Sequence, residues 1–96
     1  MSQLEKIQHL KSAIYQIARR HNAAKIFVFG SCARKEEGSE SDIDLLVEFL
    51  PQATLFDQVH IKDEFEELLK CKVDVVPKRA LHPYISKNIL AEAVPL

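Results

Sequence analysis

Three short runs of β-branched and aromatic residues, and the lengths of chain between them, constrain this sequence most. They lie at residues 25–29 (Lys-Ile-Phe-Val-Phe), 42–49 (Asp-Ile-Asp-Leu-Leu-Val-Glu-Phe) and 72–76 (Lys-Val-Asp-Val-Val). Each has strand composition and is bounded by turn-forming residues or Pro77. Only 12 positions separate Gly30 from Asp42, so the chain makes a tight excursion and the first two strands pair as an antiparallel hairpin. A helical pattern fills the interval between the second and third strands. That length suits a crossover and makes those two strands parallel.

The flanking segments read as helices. Leu4, Ile7, Leu10, Ile14, Ile17 and Ala18 recur at three- and four-residue intervals, which predicts one amphipathic helix of about four turns. Ser2 is its expected N-cap and His21-Asn22 its end. His9 and His21 have no partner at metal-ligand spacing and are expected at the surface. Residues 31–37 favour a short helix before a turn at 38–41. Thr54 and Asp57 form a capping-box signature for a helix to about residue 70, with Leu55, Phe56, Val59, Phe65, Leu68 and Leu69 as its apolar face. Asp63, Glu64, Glu66 and Glu67 read as its solvated face. Pro83 suits the first turn of a last helix ending near residue 93. The predicted fold is α/β (α+β), a small mixed sheet of three or more strands flanked by helices, in the order α-β-α-β-α-β-α.

Bulk composition narrows the function. The 96 residues are expected to form one domain, 47% hydrophobic and 28% charged, as in an ordinary globular chain. Thirteen basic residues against 14 acidic ones give a net charge of −1, with no basic stripe to hold a nucleic acid. No apolar run is long enough to span a bilayer. Cys32 and Cys71 lie outside any C-x-x-C pair, and a cytoplasmic protein with reduced thiols is expected.

The chemistry-bearing residues cluster at one edge of the predicted sheet. Gly30-Ser31 closes the first strand, and after ten intervening residues Asp42 and Asp44 open the second on one face. The strand order brings Asp74 to the same edge. Two carboxylates this close repel each other unless a cation lies between them, and Mg²⁺ resolves the conflict while bridging phosphate oxygens. Asp74, set in a strand that reads as buried, would be a third metal ligand or the base that deprotonates an attacking hydroxyl. The alternative is three surface aspartates at strand ends. Gly30 lets the backbone approach a phosphate, and Ser31 adds a hydroxyl at a helix N-terminus. Arg34 would reach a phosphate oxygen or pair with Glu37 or Glu40. No histidine is placed to activate Cys32, and Cys71 reads as packing.

Phe29-Gly30-Ser31-Cys32-Ala33-Arg34, the run Ser41-Asp42-Ile43-Asp44-Leu45-Leu46-Val47, and Lys72-Val73-Asp74-Val75-Val76 together resemble the minimal nucleotidyltransferases of the DNA polymerase β superfamily. The closing residues 91–96 are also similar to the ends of those proteins. The resemblance implies ATP as substrate, Mg²⁺ (two ions), and transfer of a nucleoside monophosphate. By motif match Gly30 and Ser31 would hold the triphosphate, and Asp42, Asp44 and Asp74 the metal. Such proteins are commonly encoded beside a HEPN-type toxin and act as its antitoxin by adenylylating a toxin tyrosine. Two other functions stay open: an antitoxin that masks its partner without catalysis, and the catalytic subunit of an aminoglycoside-type nucleotidyltransferase completed by another chain. A homodimer is a further open possibility. Lys35 and Cys71 stand where the family often has Gly.

Overall fold

The computed structural model describes residues 3–29, 43–81 and 91–96. In these, the helices are α1 (Gln3–His9), α2 (Lys11–Arg20) and α3 (Leu55–Leu69). The strands are β1 (Ala23–Phe29), β2 (Ile43–Phe49), β3 (Val73–Pro77) and β4 (Val94–Pro95), with a 3-10 turn at Lys78–Ala80. The sheet order is β3-β2-β1-β4. β1 pairs antiparallel with β2 and with β4, and β2 pairs parallel with β3. The mixed sheet and both expected pairings are therefore present. The predicted helix over 31–37 and the start of the last helix at Pro83 lie outside the described residues.

The first apolar stripe forms two helices rather than one. The amide of Leu10 is shared between the carbonyls of Lys6 (3.2 Å) and Ile7 (3.1 Å), and its own carbonyl accepts from Ile14 (2.9 Å). The hydrogen bonds thus continue from α1 into α2 through a local tightening at Leu10. Both halves turn apolar residues to one core: Leu4 and Ile7 from α1, and Ile14, Ile17 and Ala18 from α2. Asn22 makes the turn into β1 with φ 57°, a conformation that asparagine tolerates well.

β1 begins at Ala23, two residues before the expected start. A register shift between Ala23 and Lys25 places two exposed residues, Ala24 and Lys25, before the buried Ile26. This irregularity hides the strand's alternation in the sequence. In β2, Ile43, Leu45 and Val47 are fully buried on the helix-packed face, and Leu46 is buried on the other. β3 is an edge strand, which explains how Pro77 can occupy its last position, opposite Val47.

α3 starts as its capping box predicts. The Thr54 hydroxyl accepts from the Asp57 amide (3.4 Å), and the Asp57 carboxylate accepts from the Thr54 amide (2.9 Å). Its buried face is Ile61, Phe65 and Leu69, whereas Leu55, Phe56 and Val59 are 77%, 75% and 55% exposed. The expected face was wrong in its first half for a geometric reason. Each residue turns the helix by about 100°, so Val59, two positions from Ile61, points nearly the opposite way. The fourth strand, β4, was not expected from the sequence. It pairs Phe27 with Pro95 and Val28 with Val94, and the Tyr15 hydroxyl secures it by donating to the Leu96 carbonyl (2.9 Å). No described helix is long and apolar enough to cross a membrane.

Candidate active site

β1, β2 and β3 meet at one edge, where the ends of three strands are in register. Phe29, the last residue of β1, is opposite Asp44, and Asp44 is the neighbour of Asp74 in the parallel pair. The preceding pair, Ile43 and Val73, is fully buried on the core face. Side chains alternate along a strand and align across it, so Asp44 and Asp74 project together from the other face. Asp44 is half-buried and Asp74 exposed. Asp74 is not a charge in a buried strand, as its flanking valines suggest, because β3 is at the sheet edge. Its register with Asp44 is the stronger observation.

Local contacts determine that register. The Ile43 amide donates to the Lys72 carbonyl (3.0 Å), and the Val73 amide donates to the Glu66 carboxylate (3.0 Å). Lys6 Nζ donates to the Leu69 carbonyl (2.9 Å), tying α1 to the last turn of α3. Lys70 then reverses the chain with φ 57°. The position in the left-handed region is Lys70, not Cys71, so the lack of a glycine at Cys71 costs no backbone strain. Cys71 is half-buried against the core, as a packing residue would be.

Adjacent carboxylates on neighbouring strands lie about 5 Å apart at the backbone, and their hard oxygens suit Mg²⁺. Asp44 and Asp74 therefore fit the ion the sequence implies. Among the described residues they form a pair, and no group of three or more metal-binding side chains gathers there. Asp42, Gly30, Ser31 and Arg34, the other residues expected at this edge, lie outside the described residues, as does Cys32.

A second polar cluster sits at the far end of the sheet, where α2 leads into β1. His21 is not a free surface histidine. Its Nε2 meets the Glu64 carboxylate, its Nδ1 lies 3.9 Å from Asp57, and its ring meets His60 edge-to-face. Arg20 also pairs with Glu64 (2.7 Å), so Glu64 is not simply solvated. Asp57 accepts from Asn22 Nδ2 (3.1 Å). Its carboxyl is held below the ordinary aspartate range, first by the Thr54 amide and then by Asn22, with smaller help from His21 and His60 against the cost of burial. This cluster fastens α2 to α3 and stands a strand's length from Asp44, roughly 20 Å.

Comparisons with known proteins identify the family and the fold. The family model described as a nucleotidyltransferase domain matches residues 10–96. Among relatives, MJ0435 of Methanocaldococcus jannaschii, named as an inferred protein adenylyltransferase, is 42% identical over 88 residues, covering 92% of this chain and 95% of that protein. The protein adenylyltransferase MntA of Thermococcus cleftensis is 35% identical over 95 residues, covering 98% and 96%. A solved structure described as an inferred minimal nucleotidyltransferase superposes with a TM-score of 0.88 at 41% identity, covering 100% of this chain and 97% of that one. A chain from the complex of the tri-AMPylated Shewanella oneidensis HEPN toxin with its MNT antitoxin shares the fold, with a TM-score of 0.68 at 18% identity and coverage of 92% and 69%. This chain belongs to the nucleotidyltransferase-domain family, and within it to the minimal nucleotidyltransferases.

Proposed function

We propose that this protein is the antitoxin of a HEPN-type toxin and transfers AMP from ATP to a tyrosine of that partner. The observation that carries the reading is the register of Asp44 with Asp74, two carboxylates side by side where β1 ends. The names of its relatives and the HEPN–MNT complex that shares its fold support the protein acceptor. The residues act as one domain in the cytoplasm.

In the transfer, the phenol oxygen forms a bond to the α-phosphorus of ATP. The bond from that phosphorus to the bridging oxygen breaks, and pyrophosphate leaves. Mg²⁺, when bound, neutralises the charge that develops on the phosphate oxygens. Asp44, on the face that β2 turns away from the core, would hold the metal together with Asp42. Asp74, the more exposed of the described pair, completes the ligand set and can take the phenol proton. By the motif, Gly30 and Ser31 would supply backbone and hydroxyl donors to the triphosphate, and Arg34 a positive charge for a phosphate oxygen.

The test is intact-mass analysis of the partner toxin after incubation with this protein, ATP and Mg²⁺. One or more added AMP groups are expected on the toxin, and none with an Asp42→Ala, Asp44→Ala double variant. If that variant neutralises the toxin as well as the wild type and leaves it unmodified, the protein acts by masking. Transfer of AMP to a free aminoglycoside with no protein acceptor would make it a small-molecule enzyme instead.

A further inference from the structure

The position of Asp74 is decided in the three residues, Lys70 to Lys72, that connect α3 to β3. A trans peptide unit points its carbonyl and its amide in opposite directions. In the unit joining Lys72 to Val73, the carbonyl accepts from Ile43 of β2 (3.0 Å) and the amide, on the outer side, donates to Glu66 Oε2 (3.0 Å). The first peptide of β3 is therefore gripped from both sides. Among the described residues β3 is an edge strand with no neighbouring strand to take this outward amide, and the Glu66 carboxylate supplies the acceptor. Glu66 also holds the turn through its backbone, since its carbonyl accepts from the amide of Lys70 (2.8 Å), the residue in the left-handed conformation. Asp74 is the next residue. A slip of one position would carry it to the core face and away from Asp44.

We propose that Glu66 is a positioning residue for the carboxylate pair: by clamping the Lys72–Val73 peptide it keeps Asp74 in register with Asp44. The proposal rests on reading that pair as metal-holding. The contact of Glu66 with the site runs through the backbone: it binds the amide of Val73, whose side chain turns into the core. Its effect is on where a ligand oxygen stands, not on the reaction itself.

The test compares Glu66→Ala, Glu66→Gln and a packing control, Leu68→Ala, in the full chain. Mn²⁺ binding is followed by electron paramagnetic resonance with the non-hydrolysable analogue AMP-PNP present, so that no turnover is needed. Exchange of the Val73 and Asp74 amides is read by NMR. Glu66→Ala is expected to weaken Mn²⁺ binding about ten- to a hundredfold, the range for residues that orient metal ligands, and to speed Val73 exchange. Glu66→Gln keeps an acceptor oxygen and should bind Mn²⁺ within about threefold of wild type. Leu68→Ala should leave Mn²⁺ affinity unchanged. Wild-type affinity and exchange in Glu66→Ala would overturn the proposal, and so would equal losses in Glu66→Ala and Leu68→Ala or in Glu66→Ala and Glu66→Gln. If Asp44→Asn binds Mn²⁺ as tightly as wild type, the metal reading of the pair fails. Faster Val73 exchange in Glu66→Ala would then still show the clamp, separating the two failures.

Discussion

Replacing Asp74 with asparagine should stabilise the protein without metal and destabilise it, relative to wild type, with metal. Asp44 and Asp74 are neighbours across β2 and β3, so their charges stand roughly 5 Å apart. At that distance two unit charges repel by about 0.8 kcal/mol in water and about 3 kcal/mol at an effective dielectric constant of 20. Asp74 is exposed and Asp44 half-buried, which puts the repulsion near the lower figure, about 1 kcal/mol. Asn keeps the shape and removes the charge. In a chelator, thermal unfolding of Asp74→Asn should therefore rise by about 4–8 °C. In millimolar Mg²⁺ the order should invert. Wild type gains about 2.7 kcal/mol at a hundredfold excess of ion over its Kd, whereas the variant, lacking one ligand, gains much less. Scanning calorimetry with EDTA and with Mg²⁺ measures both. An Asp74→Asn variant no more stable than wild type in EDTA would refute the electrostatic reasoning, and equal gains in Mg²⁺ would refute the ligand role.

Other expectations concern α3 and its ends. Phe65→Ala should cost about 3–5 kcal/mol in urea denaturation, because Phe65 is fully buried, while Phe56→Ala should stay within about 0.5 kcal/mol. Lys70→Gly should gain about 0.5–1 kcal/mol by relieving a positive φ, and Cys71→Gly should show no such gain. Asp57 has a folded-state pKa below the ordinary value, so the unfolded chain binds its proton more readily. Its contribution is present above the ordinary aspartate pKa and lost as pH falls through the lowered folded value. Asp57→Asn should flatten that part of the acid limb in a plot of unfolding temperature against pH.

The meeting of Asp44 with Asp74 was legible in the sequence because it depends on features local in the chain. A strand's two-residue period puts Asp44 on the face opposite Ile43 and Leu45. The small number of residues between β1 and β2 favours their antiparallel pairing, and the helical crossover makes β2 and β3 parallel. Those constraints suffice to bring Phe29, Asp44 and Asp74 to one edge. Thr54 and Asp57 cap α3 through a contact only three residues long, and that too could be read directly.

What the sequence alone could not decide depends on contacts between distant residues. Leu55, Phe56 and Val59 look like core residues, yet the face of α3 that packs is chosen by the sheet, which accepts Ile61, Phe65 and Leu69. Val94 and Pro95 have no strand pattern of their own and become β4 only because β1 offers an open edge and Tyr15 a bond. His21 becomes half-buried because α3 brings Glu64 and Asp57 to it. Glu66 looks like one more acid in a solvated run until β3 turns an unpaired amide toward it. Residue periodicity and spacing determine the strands, their directions and the edge where the carboxylates meet. Tertiary packing decides which helix face is buried and which side chains hold those carboxylates in register, because both depend on the shape and polarity of a surface built from the rest of the chain.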